Sequence, residues 1–180
     1  MKKVIVLVGI VIFIFMIIGI LVTKKKFNME ENFEIANVIN DNSYLPIKYM
    51  SKYGENSADF KEYEKINNYM STDFYSKDRD VVFKYYGYPN DESEYYLGEI
   101  SISTNIYNIL GITVGDIVES SINKLKEYGF ELEVVDANEY ILKYKDYNIK
   151  IETTKANNNE LVVEKINLRV DSKYLGRMLY

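Results

Sequence analysis

The stretch ELEVVDANEYILKYKDYNIKIETTKANNNELVVEKINLRV, residues 131–170, alternates apolar and polar side chains along most of its length. Leu132 and Val134 alternate with Glu131 and Glu133, Tyr140, Leu142 and Tyr144 with Ile141 and Lys143, and Ile149 and Ile151 with Lys150. Val162, Ile166, Leu168 and Val170 share one face of the last run. A period of two puts successive side chains on opposite faces of a strand. The runs are separated by polar turns at Asp136-Ala137-Asn138 and Asp146-Tyr147-Asn148 and by the loop Lys155–Asn159. Connections this short predict an antiparallel meander, because parallel strands need long crossovers.

Upstream of the meander, residues 116–128 carry a helix signal. Asp116 stands in a cap position with Glu119 three residues on, a capping-box spacing. Val118, Ile122 and Leu125 form an apolar stripe, and Gly129 with Phe130 suits a Schellman ending in which Phe130 touches Leu125. Lys124 and Lys126 complement the negative helix end. Further back, Val81, Phe83 and Tyr85 alternate with Val82, Lys84 and Tyr86 as far as the turn at 89–93. The return strand, Tyr95 to Thr104, places Ile100 and Ile102 opposite Glu99, Ser101 and Ser103. A second helix is predicted over about 58–70, capped by Ser57, with Phe60, Tyr63, Ile66 and Met70 as its stripe.

These elements predict an α+β domain, few helices packed on an antiparallel sheet. Residues 83–104 align without gaps to 149–170, sharing Lys84/Lys150, Glu94/Glu160 and Ile100/Ile166. The pattern is consistent with a duplicated helix-plus-sheet unit over 46–110 and 111–180.

Residues 4–22, VIVLVGIVIFIFMIIGILV, hold no charge and lie between Lys2-Lys3 and Lys24-Lys25-Lys26. As a helix they would span roughly 28 Å, close to the hydrocarbon thickness of a bilayer. The exit, Ile20-Leu21-Val22-Thr23, is too bulky for a cleavage site, and there is no cysteine for lipoprotein processing. Sequence therefore predicts a short flank at 1–3, a transmembrane anchor at 4–22, a spacer or short helix at 23–45 and the α+β domain at 46–180. Gly9 and Gly19 are too far apart for a dimerising glycine motif. The two-lysine start leading into an apolar run favours a signal-anchor that leaves the C-terminal domain outside the cell.

Charge and composition narrow the partners. The chain has 27 Asp and Glu against 22 Lys and Arg, and five of those lysines flank the apolar run. The rest is strongly acidic, which disfavours nucleic acid. With no cysteine or histidine, thiolate catalysis, histidine-based triads and the usual zinc sites are excluded. No metal or cofactor is predicted. Ser121-Ile122-Asn123-Lys124 matches the S-x-x-K of penicillin-binding enzymes, but mid-helix and without their companion motifs. The acidic residues 90–94 lack the order of a calcium loop and read as a solvated turn. What remains is tyrosine. Tyr85, Tyr86, Tyr88, Tyr95 and Tyr96 cluster around the first hairpin, and adjacent pairs put rings on both faces. Tyr86, Tyr88, Tyr95 and Tyr96 are the candidate binding residues, able to stack on sugars or anchor a protein.

Gly111-Ile112-Thr113-Val114-Gly115-Asp116, followed by a helix closing on Tyr128-Gly129-Phe130 and then a sheet, resembles the helix-on-sheet unit of BamE-type envelope lipoproteins. The β-lactamase inhibitor protein has two such units. With Tyr86-Gly87-Tyr88-Pro89 in the first hairpin, residues 80–180 are also similar to uncharacterised membrane-anchored proteins of low-GC Gram-positive bacteria. The resemblance implies a fold and an envelope location, not an activity. The expected function is a membrane-tethered extracytoplasmic binding module whose partners are the lipid bilayer, through residues 4–22, and an envelope protein or glycan. The alternatives are a structural or inhibitory envelope protein and a carboxylate-based glycan hydrolase.

Overall fold

The computed structural model describes residues 33–56, 60–87, 95–136 and 138–171. The predicted anchor at 4–22, Ser57, Tyr88 and the acidic loop 90–94 lie outside them. Among the described residues no helix is long and apolar enough to cross a membrane. The chain divides after Ile35, and the architecture below is that of the unit from Ala36 onward.

Alternation is realised as one sheet. Strands β1 (Glu64–Asn67), β2 (Ser71–Tyr75), β3 (Val81–Tyr86) and β4 (Tyr96–Ile102) form one meander. After the two-residue pair β5 (Asn108–Ile109) and β6 (Ile112–Thr113), a second meander consists of β7 (Glu131–Asp136), β8 (Glu139–Tyr144), β9 (Tyr147–Lys155) and β10 (Leu161–Val170). The last strands of the two meanders pair with each other, giving a single antiparallel sheet of eight strands in the order β1-β2-β3-β4-β10-β9-β8-β7. Among the described residues helix is sparse: α1 at residues 33–41, of which 36–41 belong to this unit, one turn at α2 (Tyr53–Asn56) and ten residues at α3 (Val118–Glu127).

One face of the sheet carries the core. Phe83, Tyr85, Leu97, Ile100, Ile149, Ile151, Ile166 and Leu168 are wholly buried on it. Phe60 stacks on Phe74 at 4.1 Å and meets Phe83 and Tyr85 edge-on, while Tyr49 lies 6.0 Å from Tyr147. Val118, Ile122 and Leu125 of α3 are buried, and Phe130 packs on Tyr144. Each meander also has a bulge in its last strand, at Gly98 and at Glu164, where the pairing register slips by one residue. The Gly98 carbonyl accepts the buried Tyr49 hydroxyl at 2.9 Å.

Three expectations are corrected. The α+β class, few helices on a sheet with a duplicated helix-plus-sheet unit, gives way to a fold dominated by the continuous eight-stranded sheet. What the halves share is strand construction, since α2 is a single turn where α3 has ten residues. The helix over 58–70 is absent among its described residues: a turn after Phe60 leads into β1, and Asn68 N–H bonds Ser71 O at 2.8 Å to close the β1–β2 hairpin. Asn67-Asn68 favours a turn over a helix interior, and Ile66 and Met70 are exposed rather than part of a stripe. Finally, Asp116 does not cap α3. It sits in a turn, its N–H on Thr113 O at 3.1 Å and its carbonyl accepting Val163 N–H of β10 at 2.9 Å, and its carboxylate accepts the Thr113 N–H instead, while Ile117 is the extended residue that precedes the helix. The helix starts after Ile117 with no side-chain cap. Its other end is as expected, with Phe130 N–H on Leu125 O, Gly129 N–H on Lys126 O and Gly129 at φ +88°.

Candidate binding face

The second face of the sheet is polar. Direct cross-strand partners line up as Asp73, Lys84, Glu99, Arg169, Asn148, Lys143 and Glu131, a transverse row from β2 to β7 in which charges alternate over the first four places. Opposite charges facing across a ladder each contribute about 0.2–1 kcal/mol.

Glu99 is the hub of this row. Its Oε1 accepts Asn167 Nδ2 at 2.9 Å and lies 3.3 Å from Lys84 Nζ, and its Oε2 accepts the Tyr86 hydroxyl at 2.9 Å. Burial pushes the carboxyl's pKa up, but the bond from Asn167, the charge of Lys84 and the bond from Tyr86 together hold it below the ordinary value. Burial, and then the neighbouring Glu99 charge, push the Tyr86 phenol far up, so it stays a donor. A second cluster lies beside it, where Lys150 bonds Glu139 at 2.8 Å and Glu152 at 3.0 Å. Those two bonds raise the lysine's pKa.

Arg169 stands apart. It is exposed and directly opposite Glu99 in register, yet it makes no ion pair among the described residues, because Glu99 is drawn to Lys84, Asn167 and Tyr86. Its side chain borders a shallow depression of about 360 Å³ lined also by Ile141, Asn148, Lys150, Asn167 and Asp171.

The four predicted tyrosines part company here. Tyr86 and Tyr96 are direct partners on the open face, both half-buried, with Lys52 Nζ 5.6 Å from the Tyr96 ring. Tyr95 is buried, its ring lying where a side chain on Gly87 would be, so it serves packing rather than binding. Tyr88 lies outside the described residues. Sequence reasoning missed Lys84, Asn167 and Arg169. The wet-face assignment of Glu99 was the available signal, and only the β4–β10 pairing brings Asn167 and Arg169 beside it. Ser121 of the S-x-x-K match is buried and donates to Ile117 O at 3.0 Å, a helix-internal bond.

The Glu99 network makes a pH prediction. A carboxyl whose folded pKa is depressed contributes stability that is present above its unfolded value and lost as pH falls through the folded one. The stability difference between the native chain and Glu99→Gln, from urea unfolding, is therefore expected to shrink as pH falls below about 4.5. A difference independent of pH between 6 and 3 would show that the network does not hold Glu99 ionised.

No family model matches the chain, and no curated protein matches it. Among solved structures it is similar to an extracellular protein containing an SCP domain from Bacillus anthracis str. Ames, at 9% identity and a TM-score of 0.45. The match covers 72% of this chain and 46% of that one, so the chain spans less than half of its length.

Proposed function

We propose that this chain is a binding module that holds a protein partner on the open face of its sheet. The observation that carries the reading is that one face joins a locked polar network to two half-buried tyrosine rings and an exposed arginine. Glu99, Lys84, Asn167 and the Tyr86 hydroxyl satisfy one another, the Tyr86 and Tyr96 rings lie on the same face, and Arg169, which makes no ion pair among the described residues, borders a depression. Tyrosine and arginine are enriched at protein interfaces, and rigid contact groups bind at low entropic cost. The apolar run at 4–22 and its lysine flanks support placing the module at a membrane, displayed outside the cell.

The test is a photo-cross-linking amino acid at Tyr96 in the full chain, compared with the same residue at exposed Asn123 of α3. A discrete adduct from position 96, absent from position 123 and weakened by Arg169→Gln, is the expected result. Equal adducts from both positions, or none from 96, would refute the assignment of the face.

A further inference from the structure

Arg169 leaves a charge unmatched in the middle of the sheet. Lys84 lies 3.3 Å from Glu99, Lys143 lies 3.5 Å from Glu133, and Lys150 reaches Glu139 at 2.8 Å and Glu152 at 3.0 Å. Arg169 makes no ion pair among the described residues. In register it stands between Glu99 of β4 and Asn148 of β9, and Asn148 and Asn167 line its depression with it. One amide N–H of Asn167 goes to Glu99, and the Asn148 side chain makes no hydrogen bond among the described residues. The depression thus gathers a guanidinium fork and two side-chain amides, all able to donate, with apolar Ile141 in the same lining.

We propose that this depression is a carboxylate site, filled by an aspartate or glutamate side chain of the partner and gripped by the Arg169 guanidinium. The inference rests on the reading of the open face as a protein-binding surface and names the chemistry the partner presents there. Guanidinium and carboxylate match in shape, two parallel N–H groups meeting two oxygens, where a lysine offers only a point charge. Glu99 does not supply this group itself, because its oxygens are occupied by Asn167, Lys84 and Tyr86. The surrounding charges select a monoanion. Among the lining residues Arg169 and Lys150 are positive and Asp171 is negative, and Lys150 is already shared by Glu139 and Glu152. One carboxylate brings one charge to one guanidinium. A phosphate dianion would bring a second charge toward those three acidic groups, and like charges repel. Ile141 offers apolar surface to the methylenes of the incoming side chain.

The probe is the blocked peptide acetyl-Ala-Glu-Ala-amide, titrated at low salt into the isotope-labelled full chain in detergent micelles and followed by NMR. Its glutamine counterpart and inorganic phosphate are the controls. Saturable shifts of the Arg169 Nε–H and Asn148 side-chain amide signals are expected, with the glutamate peptide at least ~fivefold tighter than the glutamine one, as an exposed charge pair implies. Read at Asn148, Arg169→Gln should abolish that preference, and Arg169→Lys should lose most of it by giving up the fork. Arg79→Gln, which removes an arginine already bridged to Glu64, should leave it unchanged. Equal binding of the two peptides, tighter binding of phosphate, or a preference that survives Arg169→Gln would overturn the proposal. Such a failure alongside a discrete adduct from position 96 would strike the carboxylate site and keep the protein-binding face. Glutamate binding without that adduct would keep the site and refute the face.

Discussion

Leu125→Ala is expected to lower the unfolding free energy by about 2–5 kcal/mol, the range for truncating a buried leucine in a core that cannot fully collapse. Leu125 is wholly buried, the deepest residue of the α3 stripe. Its carbonyl also accepts the Phe130 N–H that closes the helix, so Phe130 and the Tyr144 ring beneath it are positioned from the same residue. The substitution removes apolar contact but keeps the backbone bonds, so the loss should appear in the urea midpoint with little change in slope. Asn123→Ala, on the exposed side of the same helix, should stay within about 0.5 kcal/mol of the native chain. Comparable effects of the two substitutions would mean that α3 does not pack on the sheet as described.

Gly129→Val should be the costliest change to the backbone. Gly129 sits at φ +88°, where an L side chain is strained by about 1–2 kcal/mol and a β-branched one by more. Space is short as well, since a Cβ there would lie 3.1 Å from the Tyr144 ring. Gly115 separates the two causes, because its φ is +97° but nothing lies within 4 Å of a Cβ. Gly115→Ala should therefore register the conformational cost alone, and Gly129→Ala that cost plus the displacement of Tyr144. Equal losses at the two positions, measured by urea unfolding, would show that the Tyr144 ring yields freely.

Much of this architecture is written locally. Period-two patterning in 81–86 and 139–170 specifies strands because a strand has only two faces, and burial follows the alternation in β3 and β9. The Gly129 ending of α3 is equally legible, because a left-handed residue followed by an apolar one is a chemical signature confined to a few positions.

Other features depend on partners far away in sequence. Alternation carried back from Ile100 would put Tyr96 in the core and Tyr95 outside. The bulge at Gly98 reverses this, sending Leu97 and Tyr95 inward and Tyr96 to the open face. Asp116 has the sequence of a helix cap, but its carbonyl pairs with Val163 N–H and Ile117 bridges Val162 in an extended conformation, which moves the helix start past Ile117. Residues 64–67 join a strand because a neighbouring strand satisfies their backbone groups, which no local helix signal could outweigh. The binding face depends on the same kind of long-range pairing. Sequence by itself determined strands β3, β4 and β7 to β10, the closing turn of α3 and the wet side of Glu99. Only the β4–β10 ladder, joining residues more than sixty positions apart, decided that Asn167 and Arg169 stand beside Glu99, because register is fixed by burying both strands' apolar faces together.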